Sequence, residues 1–185
     1  MEKKMQIDPT WLGEIEKASG IKVSACYQCG KCTSGCPLTF AMDINPDRII
    51  RMVQMGERGR VLSCSTIWVC SSCKTCSTRC PNEVDVAGIM DCLKETAIKE
   101  GIEIPEKKSF LFHKAFLNEI RKRGRVYEAG LMKNYMTESG ELKRRMDDKT
   151  IYEDLALGWA MFRKGRMPLL PRGIKGKREI KDILK

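Results

Sequence analysis

The sequence predicts a mainly α-helical protein in which two cysteine-rich loops lie among helices and are followed by a helical, basic extension. Three observations predict this fold class: a cysteine motif that occurs twice, helix start and stop signals around each motif, and a charge distribution that divides the chain. With 185 residues, 42% of them hydrophobic, the chain is long enough to bury a core without depending on disulfides.

The cysteine motif reads C-x-x-C-x-x-C-x-x-x-C-P, and its two copies are 44 residues apart. This spacing is typical of bacterial [4Fe-4S] proteins, in which three close thiolates bind one cluster and the fourth binds the other. The first predicted ligand set is Cys26, Cys29, Cys32 and Cys80. The second predicted set is Cys36, Cys70, Cys73 and Cys76.

Two other uses of the cysteines compete with iron–sulfur clusters. Zinc also accepts four thiolates, but it needs only two C-x-x-C pairs per site, which leaves the third cysteine and the Cys-Pro step unexplained. A disulfide framework is the weakest alternative, because short regular spacing in a reducing compartment favours metal binding. Cys64 and Cys92 are predicted not to be ligands; Cys92 shares a predicted helical face with core residues, whereas Cys64 could line a cluster pocket.

Three helices are predicted around the loops. The first covers residues 8–20, with Asp8 as its capping residue and Gly20 as its stop. The second covers residues 45–56, and the third follows the second motif over residues 85–101. The inward-facing residues predicted for the second helix are Ile49, Ile50, Met52 and Val53.

Charge divides the chain at about residue 105. Residues 1–105 carry 13 basic and 13 acidic side chains, whereas residues 106–185 carry 21 and 11, so the whole net charge of +10 lies in the second part. We therefore predict two domains, 1–105 with both motifs and 106–185 as a helical extension. Its last part, about 158–185, has nine basic and two acidic residues and is predicted to be an extended docking tail for a protein partner, with nucleic-acid binding as the competing interpretation.

Two amphipathic helices are predicted in the extension. One covers residues 109–124, and the other covers residues 148–162 with Asp148 as its cap. His113 lies in the first and is interpreted as a packed or surface residue, since no second histidine accompanies it. The apolar face predicted for the first consists of Leu111, Phe112, Ala115, Phe116 and Ile120.

The order of helices and cysteine loops resembles the α-helical ferredoxin domain of succinate dehydrogenase iron–sulfur subunits. Within that group, the stretches at residues 26–37 and 167–176 resemble the C subunits of the heterodisulfide reductases of methanogens. The resemblance implies a subunit with no catalytic residues of its own. It implies that single electrons pass through two [4Fe-4S] clusters from a flavin-containing A subunit to a catalytic B subunit, which reduces the CoM-S-S-CoB disulfide in methanogenesis.

The resemblance also implies an obligate hetero-oligomer, with a hydrogenase or formate dehydrogenase as a candidate electron source. No Cys-Cys pair and no Gly-x-Gly-x-x-Gly motif occurs, so the sequence predicts neither a heterodisulfide-reducing module nor a dinucleotide site. Neither a signal peptide nor a transmembrane segment is predicted, and we expect a cytoplasmic protein. The alternatives are an iron–sulfur subunit of another dehydrogenase, acting on a hydroxy acid, glycerol phosphate or succinate, and a nucleic-acid-binding protein with structural clusters.

Overall fold

The computed structural model describes residues 7–166 and 174–183, and all regular structure within these ranges is helical. The mainly α-helical class predicted from the sequence is therefore confirmed. The chain divides into two compact units, Met1–Glu106 and Lys107–Lys185. Of the helices that the structure describes, none is both long and apolar enough to cross a membrane.

The first unit contains seven α-helices within its described residues. They are α1 (Trp11–Ser19), α2 (Lys31–Ser34), α3 (Pro46–Gln54), α4 (Arg58–Leu62), α5 (Thr66–Val69), α6 (Thr75–Thr78) and α7 (Val86–Lys99). Short 3-10 turns occur at Val23–Ala25 and Thr39–Ala41. Helix α7 is the centre of this unit, because it packs against α1, α4, α5 and α6.

The core of the first unit is formed by apolar side chains of these helices. The predicted inward face of α3 is confirmed, since Ile49, Ile50 and Val53 are fully buried and Met52 is nearly so. Fully or almost fully buried side chains from other helices are Trp11, Ile15, Leu62, Ile67, Ile89, Met90 and Leu93. This core holds the ends of both cysteine loops in place.

Helix α1 begins later than predicted, at Trp11. The Asp8 carboxylate accepts hydrogen bonds from the backbone N–H of Thr10 (3.0 Å) and from its hydroxyl (2.7 Å), so Asp8 stabilises a turn before the helix and does not cap it. The predicted stop is correct, because Gly20 has the left-handed φ of 70° that ends the helix.

The second unit contains five α-helices in the part of it that the structure describes. They are α8 (Lys107–Arg123), α9 (Glu128–Glu138), α10 (Glu141–Asp147), α11 (Ile151–Arg163) and α12 (Lys177–Ile183). Helix α8 packs against α9 and α12, and α10 packs against α9 and α11.

Three expectations for the second unit are corrected. Asp148 does not cap α11, because it ends α10 and Thr150 precedes the first residue of α11. The predicted apolar face of α8 is mostly not buried, since Phe112 and Phe116 remain exposed and the buried residues are Ala115 and Glu119. The tail is not extended at residues 158–163, where the helix predicted over 148–162 is observed as α11, nor at residues 177–183, which are also helical. Its apolar stretch at 167–173 lies outside the described residues.

Two glycines give a matched test of this fold. Gly56 has a φ of 74°, and a Cβ there would lie 2.2 Å from the Asp8 carbonyl oxygen, whereas a Cβ on Gly59 in α4 would meet nothing within 4 Å. Gly56→Ala should lower the free energy of unfolding by more than the ~1–2 kcal/mol of a left-handed backbone alone. Gly59→Ala should raise it by about 0.5–1 kcal/mol. Thermal unfolding of the anaerobically purified variants measures both; equal melting temperatures would contradict this packing.

Candidate cluster-binding site

The two cysteine loops have the same backbone shape at equivalent positions. Gln28 and Ser72 have φ values of 63° and 53°, and Gly30 and Lys74 have values of 72° and 63°; each pair is 44 residues apart. Left-handed residues beside helical ones turn successive backbone N–H groups to one side, which suits the binding of an anionic group. The sequence repeat is therefore also a structural repeat, although three of the four residues are not glycine.

One ligand set predicted from the sequence lines a single cavity. Its walls include Cys36 from the first motif and Cys70, Cys73 and Cys76 from the second. The rest of the lining is largely apolar and comes from Pro37, Leu38, Met42, Pro46, Val86, Ala87 and Met90, with Ser71 and Thr75 as the polar members. The structure thus brings the fourth cysteine of the first motif to the three close cysteines of the second.

Three cysteines of the other predicted set act electrostatically on Tyr27. Desolvation raises the pKa of the exposed Tyr27 phenol, and negative charge on Cys29, Cys80 and Cys26 raises it further. Besides burial, negative charge on Cys26 also contributes to a raised pKa of the Cys32 thiol. Asn82, two residues after Cys80, donates a 2.7 Å hydrogen bond to the carbonyl of Ala25, the residue before Cys26, so Cys80 of the second motif lies near the first motif.

The thiols differ in how readily they ionise. Burial raises the pKa of the Cys32 thiol to about 11, and it also raises the pKa values of Cys70 and Cys76. The exposed Cys73 has a lowered pKa, because Thr75 provides a hydrogen bond to its sulfur. Inner thiols of this kind stay protonated at neutral pH until metal binding displaces the proton.

Three polar groups contact the sulfurs directly. The Nε2 of Gln28 lies 3.4 Å from the Cys26 Sγ and donates to it, and the backbone N–H of Val84 donates to the Cys80 Sγ at 3.3 Å. The Thr75 hydroxyl lies 3.4 Å from the Cys73 Sγ. Hydrogen bonds to ligand sulfurs stabilise the more negative, reduced state of a cluster and so raise its reduction potential.

A hydroxyl in each short helix holds the start of a long one. The Thr33 hydroxyl in α2 accepts a 3.0 Å bond from the backbone N–H of Asp47 and donates to the Asp47 carboxylate. The equivalent Ser77 hydroxyl in α6 accepts a 3.2 Å bond from the N–H of Ala87 and donates to Asp85 at 2.5 Å. These bonds fix the cysteine loops to α3 and α7.

Two further side chains anchor the loops and were not singled out by sequence. Gln54 at the end of α3 donates through Nε2 to the carbonyls of Val23 (3.1 Å) and Cys26 (2.9 Å). Lys94 of α7 donates at 3.0 Å to the carbonyl of Cys70. A glutamine and a lysine on predicted helix surfaces carry no sequence signal of a loop contact, so only the fold could reveal them.

The remaining cysteines and the histidine lie apart from these sets. Cys64 is buried in the first unit and is not among the residues that line the cavity, and Cys92 is half-buried on α7. His113 is exposed on α8, beside Phe112. Among the described residues, no three Cys, His, Asp or Glu side chains are close enough together to hold a single metal ion.

Comparison with known proteins agrees with the motifs. Residues 22–84 match the family of 4Fe-4S dicluster domains. The C subunit of the H(2):CoB-CoM heterodisulfide,ferredoxin reductase of Methanothermobacter marburgensis is 31% identical over 107 residues, or 58% of each chain. The C subunit of a ferredoxin:CoB-CoM heterodisulfide reductase of Methanosarcina acetivorans is 32% identical over 137 residues, which cover 72% of this chain and 54% of that one.

A third relative, the iron-sulfur C subunit of the CoB–CoM heterodisulfide reductase of Methanopyrus kandleri, is 30% identical over 107 residues, 54% of this chain and 56% of its own. The chain thus spans a little over half the length of the curated relatives it matches. The predicted resemblance and the presence of two [4Fe-4S] clusters are confirmed, and the zinc and disulfide alternatives are set aside.

The paired hydroxyls can be tested by substitution. Thr33→Val and Ser77→Ala each leave a backbone N–H at a helix start without its partner, so each should lower the free energy of unfolding by about 1 kcal/mol. The control is Ser34→Ala, because the exposed Ser34 makes only a 3.3 Å bond within its own helix. Melting temperatures of the anaerobically purified proteins give the comparison; a control variant as unstable as the other two would contradict the proposed capping.

Proposed function

We propose that this chain, whose residues 22–84 form a 4Fe-4S dicluster domain, is the electron-transfer subunit of a heterodisulfide reductase complex. In this role it passes single electrons from a flavin-containing A subunit to a catalytic B subunit, which reduces the CoM-S-S-CoB disulfide. One observation carries the electron-transfer part: Cys36 shares a cavity with Cys70, Cys73 and Cys76, which suits two clusters held by crossed motifs. The similarity to the C subunits of such reductases supports the identity of the complex.

The proposed ligands follow from this crossing. One cluster would be bound by Cys26, Cys29, Cys32 and Cys80, and the other by Cys36, Cys70, Cys73 and Cys76. A bound [4Fe-4S] cluster supplies reversible one-electron chemistry. The chain gathers thiols in a largely apolar cavity and supplies left-handed turns that present backbone N–H groups.

Each ligand set has one cysteine at the protein surface. Cys29 and Cys73 are exposed and occupy equivalent positions in the two motifs, whereas Cys32 is buried. A redox partner can therefore approach both sets from solvent. This exposure supports a relay, in which electrons enter at one set and leave at the other.

We propose that the basic residues after α11 dock this protein onto a protein partner. Arg166, Lys175, Lys177 and Arg178 are all exposed, and no acidic residue lies between the first and last of them. Strong positive charge of this kind steers association with an acidic surface and makes it sensitive to salt. The proposal divides the chain as the charge does, with the clusters in residues 1–105 and the docking tail, about 158–185, within the helical extension 106–185.

The function can be tested in the natural complex. Anaerobic purification through a tag on this chain should recover the flavin-containing and catalytic subunits, and the complex should oxidise a reduced dye when CoM-S-S-CoB is added. If the reduced dye is instead oxidised when the oxidised form of a hydroxy acid, of glycerol phosphate or of succinate is added, the chain belongs to another dehydrogenase. Salt-sensitive binding to DNA without any dye oxidation would favour the nucleic-acid alternative.

The crossed ligand sets predict which alanine variants share a defect. Cys29→Ala and Cys80→Ala should lose the same electron paramagnetic resonance signal, and iron should fall from about eight to about four atoms per chain. Cys73→Ala and Cys36→Ala should lose the other signal, whereas the control Cys92→Ala should keep both. If Cys80→Ala instead lost the same signal as Cys73→Ala, the crossing would be wrong.

Gln28 predicts a difference between the clusters. Gln28→Leu removes the donor to the Cys26 sulfur, so the reduction potential of the cluster on Cys26 should fall, by roughly tens of millivolts, while the other stays unchanged. The matched control is Ser72→Ala at the equivalent position, because the Ser72 hydroxyl bonds to Asp91 (2.7 Å) and not to sulfur. Redox titration followed by electron paramagnetic resonance measures both potentials; an unchanged potential in Gln28→Leu would contradict the role of this bond.

A further inference from the structure

Helix α11 carries a stripe of large apolar side chains that the second unit leaves in solvent. The stripe consists of Tyr152, Leu155, Trp159 and Phe162, whose exposed fractions are 70%, 63%, 64% and 37%. At 100° per residue these four positions lie on one face of the helix. The Trp159 and Phe162 rings contact each other, with 5.8 Å between their centroids. An ordered apolar stripe of this size is typical of an interaction surface.

The intervals between successive residues of the stripe are the same when counted from either end of the helix. Successive members are three, four and three residues apart, which is the pattern of a coiled-coil seam. If two copies of α11 pack antiparallel about a two-fold axis at the level of Leu157, each Tyr152 faces Phe162 of the second copy. Each Leu155 then faces Trp159 of the second copy. The stripe is therefore complementary to itself, as a two-fold symmetric interface requires.

Charge at the two ends of the stripe favours the same arrangement. Asp148 precedes the stripe by four residues and Arg166 follows it by four, and both side chains are exposed. Antiparallel packing brings each Asp148 to the end of the second copy that carries Arg166, and it also opposes the two helix dipoles. Parallel packing would place like charges together. An acidic membrane surface fits less well, because Glu153 and Asp154 lie on the same helix.

We propose that the stripe on α11 is the interface of an antiparallel, two-fold symmetric homodimer of this chain. The proposal does not depend on which complex the chain serves. A helix of 13 residues is about 20 Å long and buries less than a standard interface, so the dimer should form reversibly with concentration. A complex built on this protein would then contain it in even number.

Sedimentation equilibrium of the full-length, cluster-loaded protein tests the proposal under anaerobic conditions. Between about 1 µM and about 200 µM, the mean mass should rise from that of one chain, which is 21.1 kDa of polypeptide plus its two clusters, toward twice that value. Leu155→Glu and Trp159→Glu should each weaken the dimer about tenfold or more. Leu157→Glu is the matched control, since Leu157 is 62% exposed on the opposite side of the same helix and should leave dimerisation unchanged.

The orientation has its own test. Arg166→Glu should weaken the dimer about two- to fivefold, and adding Asp148→Arg should restore it; failure to restore would overturn the antiparallel arrangement. Equal helix content and equal iron content per chain in all variants would show that they are folded.

A monomeric protein at every concentration would overturn the homodimer, as would equal weakening by Leu157→Glu. Binding of lipid vesicles or of a different protein that requires Leu155, with the chain itself still monomeric, would assign the stripe to that other occupant.

Discussion

The position of Cys36 beside Cys70, Cys73 and Cys76 constrains the rest of the first unit. Thirty-three residues separate Cys36 from Cys70 in the sequence, and they must fold back so that both ends reach one cavity. Helices α3, α4 and α5 occupy this segment, and their buried side chains form much of the core. The hydrophobic core thus keeps this segment folded back so that the two motifs stay close together. Helices α2 and α6, one from each motif, pack against each other as a result.

The two copies of the repeat agree in their backbone and helix caps more closely than in their side chains. Thr33 and Ser77 perform the same task at the starts of α3 and α7, and the left-handed turns recur at the same offset. The side chains at positions 28 and 72 differ, because Gln28 donates to a sulfur and Ser72 bonds to Asp91. Equal scaffolds with unequal hydrogen bonds are a means of giving two clusters different potentials.

The sequence predicts the helices around the loops well because their signals are local. Gly20 ends α1 at the predicted position, and α3 and α7 lie within their predicted ranges, with Pro46 at the first turn of α3 and Asp85 as the cap of α7. The predictions for Asp8 and Asp148 are wrong because an aspartate before a helix can also form a turn or end the preceding helix, and the sequence does not separate these uses. Left-handed φ at Lys74 has no sequence signal, since no glycine marks it.

The second unit is harder to predict because its charge dominates its composition. The helix predicted over residues 148–162 is observed as α11, whereas the basic, glycine-containing tail after it suggests extended chain and yet is helical at residues 177–183. Buried Glu119 is also unexpected. It pairs with Arg123 one turn along the same helix, and it accepts a 3.0 Å bond from Asn134, a contact that depends on how α8 and α9 pack. The bond between Glu119 and Asn134 is a tertiary contact, which local sequence patterns do not specify.

The exchange of the fourth cysteines between the two motifs is the central claim about this protein. A crystal structure of the anaerobically purified protein, with anomalous scattering collected at the iron edge, tests it most directly. We expect Cys36 to bind iron of the cluster held by Cys70, Cys73 and Cys76, and Cys80 to bind iron of the other. Binding of Cys36 to the cluster held by Cys26, Cys29 and Cys32 would contradict the exchange.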